Sequence, residues 1–223
     1  MPGEIMALMG DNGAGKSTLI RCIAGVHQAD SGSFSLDGAP LDSSSATRVL
    51  EQGIETVYQD LALVGPMSAV RNVFLGREQI SSSPLGRALR LVHDKAMSAR
   101  ALGALTQLGA KIPNLNNPVE KMSGGQRQAI AIARAVLWGN KVVILDEPTA
   151  ALGLEQSQNV LDMVRSLREA GVTVILISHN LDHVWQVADR VTVMRRGRTV
   201  GVRTIADSVP DEVVGLVTGS APE

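Results

Sequence analysis

The sequence predicts an α/β fold with a mostly parallel sheet and an inserted helical block. Short apolar runs alternate with helical patterns at both ends of the chain, which is typical of a parallel sheet covered by helices. Residues 142–145 are continuously apolar, and residues 172–177 are apolar except for Thr173, as expected of strands buried on both faces. From about residue 63 to residue 138, ahead of these two runs, the pattern is helical and rich in loops. We therefore expect a core formed by residues 1–62 and 139–223, and a helical subdomain formed by residues 63–138.

Length and composition exclude several classes of protein. At 223 residues the chain is long enough to bury a substantial core as one domain, or as one domain with a subdomain. The net charge of −1 offers no basic footprint for nucleic acid, and 2% aromatic residues are too few for base-stacking platforms. No stretch approaches the roughly 20 apolar residues that span a bilayer. We expect no nucleic-acid partner, and we expect any membrane role to come through another protein.

The N-terminal elements can be predicted in order. Residues 5–9 form an apolar run that leads through a glycine-rich loop into a helix at 16–24, which Gly25 ends. Asp37-Gly38 is a strong turn signal between two short strand patterns, so it predicts a hairpin. A further strand at 54–58 ends at Gln59.

The helices, strands and loops of the helical block and of the C-terminal part can be predicted in the same way. Residues 81–86 have the composition of a surface loop, and residues 94–108 have helical spacing. A helix begins after Ser123 and has an apolar face. Beyond the strand at 142–145, the pattern predicts a helix around 160–167, the strand at 172–177, a helix after the cap residue Asn180, and a hairpin from 191–194 to 199–202.

The glycine-rich loop has the chemistry of a triphosphate site. Gly10-x-x-x-x-Gly15-Lys16-Ser17 matches the Walker A pattern between a strand and a helix. Glycines allow backbone N–H groups to approach phosphate oxygens, and the helix N-terminus adds its dipole. Lys16 is suited to the β/γ oxygens and the Ser17 hydroxyl to Mg²⁺. The predicted nucleotide-binding residues here are Gly10, Asn12, Gly13, Ala14, Gly15, Lys16, Ser17 and Thr18.

Two acids follow the strand at 142–145. Asp146 ends that strand, where a Walker B aspartate holds Mg²⁺. Glu147 is the next residue and suits the role of general base toward an attacking water molecule. Alone, the pair is also compatible with an ordinary polar strand end. Beside the phosphate loop, we predict that Asp146 binds MgATP and that Glu147 is the base.

Ser123-Gly124-Gly125-Gln126 opens a helix with a good N-cap and an uncovered N-terminus. Such a terminus is a second anion-binding site in the same chain. An ordinary capped helix is an equally simple interpretation when the segment is taken alone.

Together these motifs resemble the nucleotide-binding subunit of an ABC transporter, a P-loop NTPase with a RecA-like core. Ser123 to Gln126 are similar to the family's signature, preceded here by Met122 in place of the usual Leu. Gln59 stands where the family has its Q-loop glutamine, and His179 where it has its switch histidine. Gly153 occupies a position at which many members have Asp.

The resemblance implies how the residues work. ATP would lie between Lys16 of one copy and Ser123 to Gln126 of the other, in a head-to-tail dimer. Mg²⁺ would contact Ser17, Gln59 and Asp146, and the catalytic residues would be Glu147, His179 and Gln59. Apolar residues at 61–67 and 70–75 are expected partly to pack inside and partly to dock a transmembrane permease. The chain would work at the cytoplasmic side of the bacterial inner membrane, attached through the permease.

A narrower resemblance is to bacterial sugar-import ATPases of the ribose, xylose and fructose type. It rests on residues 11–19, 53–59, 74–78 and 149–153. It implies a monosaccharide as cargo and, indirectly, a secreted sugar-binding protein as partner.

Several alternatives remain open at this stage. Gly10 is the tenth residue, whereas family members usually carry further strands before it, one with an aromatic ring that stacks on adenine. We therefore expect the N-terminal antiparallel strands to be largely missing, and a truncated, inactive cassette is one alternative. A soluble ABC ATPase of the repair or translation type is another. His179 and His183 as a metal-binding pair is a third.

Overall fold

A six-stranded sheet forms the centre of the molecule. The structure is a computed structural model that describes residues 2–139 and 141–220; residues 1, 140 and 221–223 lie outside the described part. The strands are β1 (Ile5–Gly10), β2 (Ser35–Leu36), β3 (Ala39–Pro40), β4 (Ile54–Val57), β5 (Val142–Asp146), β6 (Thr173–Ile177), β7 (Arg190–Arg195) and β8 (Arg198–Thr204).

Helices cover this sheet and fill the segment between β4 and β5. They are α1 (Lys16–Ile23), α2 (Ala46–Glu51), α3 (Ala69–Val73), α4 (Pro84–Ala88), α5 (Asp94–Gln107), α6 (Gly124–Trp138), α7 (Leu154–Glu169), α8 (Leu181–Val187) and α9 (Pro210–Thr218). Short 3₁₀ turns lie at Val119–Lys121 and Ile205–Asp207.

The strand order is β4-β5-β6-β1-β7-β8, and only the β7–β8 pair of this sheet is antiparallel. The predicted α/β fold with a mostly parallel sheet is confirmed. Because β1, β4, β5 and β6 are parallel, their carboxyl ends lie at one edge of the sheet. The segments that follow these strands begin with the phosphate loop, Tyr58-Gln59, Glu147 and Ser178-His179, so the fold brings these four predicted parts of the site to that edge.

The two faces of the sheet belong to different hydrophobic clusters. Along β5, Val143 and Leu145 face the cluster that includes α6, α7 and α8, whereas Ile144 faces the cluster that includes α1 and α2. Successive side chains of a strand point to opposite faces. All four apolar residues of β5 are therefore buried, which explains why the sequence pattern was continuous rather than alternating.

The segment between β4 and β5 has a smaller core of its own. Phe74, Met97 and Ile130 are each fully buried there, on or next to α3, α5 and α6. Trp138 meets Phe74 edge to face, with 5.7 Å between the ring centroids. Such aromatic pairs contribute roughly 0.5–1.5 kcal/mol beyond their buried area.

The structure corrects and extends the predicted elements. Residues 81–86 were predicted as a loop, but α4 begins within them, because Ser83 caps it by accepting a bond from the Gly86 N–H at 3.1 Å and Pro84 suits its first turn. Helices α2 and α9 were not predicted. The Asp37-Gly38 hairpin is confirmed, as β2 pairs with β3 in antiparallel register.

Candidate functional site

The phosphate loop connects β1 to α1 and rests against β7. Gly10 has φ of 149°, and a Cβ atom there would lie 2.1 Å from the carbonyl oxygen of Met194 on β7. The turn between β7 and β8 also contacts the loop, because Gly197 donates its N–H to Ala14 O at 3.0 Å. The loop therefore takes its shape from the far end of the chain as well as from its own sequence.

The interior of the loop is lined by its own residues. Asn12 to Thr18 enclose a cavity of about 210 Å³. Gly15 precedes α1 and has no side chain to cap it, and the first turn of α1 contains no acid. Lys16 donates from Nζ to Gly10 O at 2.6 Å and to Asp11 O at 3.1 Å. This arrangement provides N–H donors, a helix dipole and one ammonium group for an anion.

A second cavity of about 560 Å³ lies beside the loop. Ser17, Gln59 and Asp146 all line it, so the three residues predicted to contact Mg²⁺ come together. They offer a hydroxyl, an amide oxygen and a carboxylate, the hard oxygen donors that Mg²⁺ prefers, and Mg²⁺ commonly combines one or two carboxylates with substrate phosphates. The donor set therefore fits this ion.

The electrostatics of Asp146 follow from its position. Burial raises the pKa of its carboxyl group, and the neighbouring charge of Glu147 raises this pKa further. Lys16 and Arg21 act in the opposite direction and lower it. Arg21 also lines the cavity with Asp146, although it belongs to none of the recognisable motifs.

Glu147 and His179 are direct neighbours. Glu147 Oε1 lies 2.9 Å from His179 Nδ1, the glutamate side chain being 15% exposed and the histidine 69%. Glu147 has a left-handed backbone with φ of 49°, and its N–H donates to Ile177 O at 3.0 Å. The end of β6 thus holds Glu147 beside the histidine that follows that strand.

A second hydrogen bond joins the same two chain segments. Thr149 Oγ1 and His183 Nδ1 are 3.0 Å apart, and Thr149 is buried. The Nδ1 atoms of His179 and His183 therefore have different partners. Among residues 2–139 and 141–220, no group of three or more His, Cys, Asp and Glu side chains is arranged to hold a metal ion.

The Ser123 segment forms its own site. Gln126 N–H donates to Ser123 Oγ at 3.3 Å, and Ser123 N–H donates to Gln126 Oε1 at 3.0 Å, so the predicted N-cap is confirmed as a full capping box. A Cβ atom on Gly124 would lie 2.9 Å from Leu152 Cδ2. Leu152 therefore lies against the segment, a contact that no local sequence pattern indicates.

The structure keeps two groups of predicted site residues apart. Ser123, Gly125 and Gln126 line a cavity of about 570 Å³ between α6 and α7. This cavity shares no lining residue with the two cavities of the phosphate loop and of Asp146. One copy of the chain therefore presents two separate candidate anion sites.

The fold and the first of these sites define a P-loop nucleotide triphosphatase. A family model described as "ABC transporter" matches residues 1–150. The chain belongs to the ABC transporter family, whose ATP-binding cassettes bind and hydrolyse ATP. In the described part of the chain, no helix combines the length and apolar character that crossing a bilayer requires.

Relatives agree with this assignment over nearly the whole chain. A fructose import ATP-binding protein of Rhizobium meliloti is 45% identical over 98% of this chain and 85% of its own length. A xylose/arabinose import ATP-binding protein of Sulfolobus acidocaldarius is 39% identical over 98% of this chain and 84% of its own length. The structure of cbiO1 from Clostridium perfringens, part of the ABC transporter complex cbiONQ, superposes with a TM-score of 0.75 at 29% identity, covering 96% of this chain and 82% of its own.

These comparisons confirm the predicted family and the resemblance to sugar-import ATPases. The roles of individual site residues and the boundaries of the helical subdomain stay predictions.

Proposed function

We propose that this chain is the ATP-hydrolysing subunit of a bacterial monosaccharide importer, and that two copies bind ATP between them and drive a membrane permease. The separation of the two candidate anion sites within one copy carries this proposal. We assign one ATP molecule to both kinds of site, held across an interface between two copies. The names and identities of the relatives support sugar import as the process.

Nucleotide binding is assigned to the phosphate loop. The free first turn of α1 and the backbone of residues 12–18 donate to phosphate oxygens. The Lys16 ammonium group already lies against the Gly10 and Asp11 carbonyls, and a small rotation of its side chain redirects it to the β/γ oxygens.

Mg²⁺ is assigned to Ser17, Gln59 and Asp146, which line one cavity. When bound there, the ion neutralises charge on the β- and γ-phosphates. Asp146 supplies the carboxylate, and Ser17 presents its hydroxyl from the first turn of α1. Gln59 follows β4 and lines the same cavity.

Hydrolysis is assigned to Glu147 with His179 and Gln59. The Glu147 carboxylate accepts a proton from the water molecule that attacks the γ-phosphorus, while the bond to the leaving β-phosphate oxygen breaks. His179 contacts Glu147 at 2.9 Å and restricts the orientation of its carboxylate. The exposed side of the histidine ring is then available to a γ-phosphate oxygen.

The second copy completes each site. Ser123, Gly124, Gly125 and Gln126 begin the 15-residue helix α6, whose N-terminus attracts anionic oxygens. We assign them to the γ-phosphate of the ATP molecule held by the opposite copy. The head-to-tail arrangement gives two equivalent ATP sites per dimer.

We assign permease docking to the exposed apolar residues that follow Gln59. They belong to residues 63–138, which we propose form a subdomain. Val64, Met67 and Leu75 are 38–43% exposed, whereas Val70 and Phe74 are buried. Two of these five apolar residues are therefore internal, which agrees with the expectation that the segment packs partly inside. The turn is preformed, because buried Asn72 accepts from Val64 N–H at 2.7 Å and donates to Val64 O at 3.1 Å.

This assignment gives the location and the indirect partner. A subunit that docks on a permease works at the cytoplasmic side of the bacterial inner membrane. The sugar reaches the permease from a secreted sugar-binding protein and does not contact this chain.

Two experiments test the proposal. The purified chain is expected to hydrolyse ATP only with Mg²⁺ and to lose this activity on Lys16→Ala. Uptake of labelled fructose, ribose and xylose in the host is expected to stop for one sugar when the Lys16→Ala variant replaces the parent. Mg-dependent hydrolysis without a change in any sugar uptake, and without co-purification of a permease, would instead support a soluble ABC ATPase of repair or translation. No hydrolysis by the parent chain would support an inactive cassette.

The docking surface has its own control. Met67→Glu is expected to abolish uptake while ATP hydrolysis by the soluble chain persists. Leu102→Glu alters a more exposed apolar residue on α5, 55% against 38% for Met67, and is expected to leave uptake intact. A charge introduced at Ser68 or reversed at Arg71 is less informative, because Ser68 caps α3 and Arg71 pairs with Asp94 at 2.8 Å.

A further inference from the structure

The backbone just after Gln59 has an unusual conformation. Leu61 has φ of 62° and Ala62 has φ of 45°, so two consecutive residues other than glycine are left-handed. Side chains disfavour this region, and such residues persist only where their surroundings fix them. The segment 59–62, which we name the Gln59 loop, therefore depends on outside support.

One arginine provides that support. Arg134 donates from Nη1 to Ala62 O at 2.9 Å and from Nη2 to Leu61 O at 3.0 Å. The guanidinium group is planar and presents paired donors in a fixed fork, so it fixes two neighbouring carbonyl groups at once. A lysine ammonium group at this position keeps the charge and lacks the fork.

Two nearby carboxylates, those of Glu55 and Asp60, interact favourably with the charge of Arg134. Burial lowers the pKa of its guanidinium group, while the negative charge of Glu55 on β4 raises it. Arg77 lies 3.7 Å from the Glu55 carboxylate, and Asp60 lies within range as a second negative charge. Arg134 therefore lies between β4, the Gln59 loop and its own helix.

That helix is the one that begins at the Ser123 segment. Ser123 caps α6, and Arg134 lies eleven residues further along, a distance of about 16 Å in a straight helix. Ile130, Ile132 and Ala133 are fully buried, so the middle of α6 is tightly packed. A shift at the N-terminus of α6 is thus transmitted to Arg134 as a movement of a rigid element.

We propose that Arg134 is a positioning residue that fixes the Gln59 loop to α6, so that Gln59 at one nucleotide site moves together with the Ser123 segment that serves the other. This inference rests on the proposed function. In this proposal, the two hydrogen bonds of Arg134 couple contact between ATP and the N-terminus of α6 to the position of Gln59.

Hydrogen exchange tests the structural half without ATP. In Arg134→Lys, peptides covering residues 59–64 are expected to exchange their amide hydrogens faster by about tenfold. The carbonyl groups of Leu61 and Ala62 lose their donors, so the loop opens more often. Arg165→Lys is the matched control, since Arg165 on α7 also donates to a distant backbone carbonyl, that of Gln186, at 3.1 Å. Unchanged exchange in Arg134→Lys, with the melting temperature retained, would overturn the proposal.

A double-mutant cycle tests the functional half. Arg134→Lys is expected to lower kcat for ATP by roughly tenfold to a hundredfold, with KM nearly unchanged, because a small misplacement of a reacting group is costly. In a Gln59→Ala background, the same change is expected to cost less than about twofold. An equal cost in both backgrounds would show that Arg134 does not act through Gln59.

A rescue variant separates positioning from folding. Ala62 is exposed, so Ala62→Gly removes only a solvent-facing methyl group while glycine accepts the left-handed backbone. It is expected to restore part of the kcat and of the exchange protection in Arg134→Lys. Absence of both effects would contradict the proposal.

Absence of ATP hydrolysis in the parent chain would instead refute the proposed function, and the exchange comparison would still report on Arg134.

Discussion

Glu147 Oε1 and His179 Nδ1 lie 2.9 Å apart, although the two residues follow different strands. The contact forms because β5 and β6 are adjacent and parallel, with Asp146 opposite Ile177 in the register. A general base needs its proton-accepting oxygen held in one place. The pairing of two neighbouring strand ends provides this restraint.

Glu147→Gln is expected to lower ATP turnover by about 10²–10⁴-fold, the usual contribution of a general base. Because the amide retains the size of the carboxylate, MgATP binding should persist and the dimer should accumulate in its ATP-bound form. Turnover is measured by phosphate release and the dimer by light scattering with ATP. Hydrolysis at the parent rate would remove Glu147 from the mechanism.

His179→Ala is expected to reduce kcat by roughly tenfold to a hundredfold with little change in ATP affinity, because the Glu147 carboxylate loses a positioning contact. Steady-state kinetics and equilibrium nucleotide binding separate the two effects. The exposed His27 is a suitable control for loss of a histidine, and His27→Ala should match the parent. Equal losses in kcat and in ATP affinity would argue against a positioning role.

Asp146→Asn is expected to raise the melting temperature at pH 7, measured without nucleotide, by about 1–3 °C. Folding raises the pKa of this carboxyl through burial and the charge of Glu147, so its charged form is disfavoured in the native state. That penalty is present above the folded pKa and disappears below the unfolded value of about 3.9.

The gain from Asp146→Asn should therefore shrink as the pH falls toward 4. Thermal melts of the parent and the variant at several pH values measure it, with Asp30→Asn, at an exposed position, as the control. A gain that grows on acidification would contradict the assigned cause.

Gly10→Ala is expected to destabilise the chain by about 3 kcal/mol or more, because the new methyl group overlaps the Met194 carbonyl oxygen. Gly13→Ala is the matched variant: Gly13 also has positive φ, at 80°, but nothing lies within 4 Å of its Cβ position. It should cost only the left-handed backbone penalty of about 1–2 kcal/mol. Urea denaturation compares the two, and equal losses would contradict the close approach to Met194.

Local signals explain most of what could be predicted. Lys16, Asp146 and Glu147 are recognisable because their chemistry depends on contiguous residues next to a strand end. The Ser123 cap and the Asp37-Gly38 turn are likewise properties of a few neighbouring residues. These features were predicted from the sequence, and the structure has the cap, the turn and the strand ends where they were expected.

Contacts between distant residues could not be predicted in this way. Arg134 bonds to carbonyl groups of residues 61 and 62, and His183 to Thr149, through pairings that depend on how elements pack. An arginine on a helix or a threonine after a strand has no distinctive pattern. Helix α4 was missed because its cap is a serine within a run of serines that equally indicates a loop.

The support of the phosphate loop by Met194 and Gly197 has a consequence for folding. The loop is one contiguous segment, but the β7–β8 hairpin that supports it is distant in sequence. Contacts between distant segments form later than local ones, because the loop-closure entropy has to be overcome first. We therefore expect the phosphate loop to reach its final shape only after β7 has paired with β1.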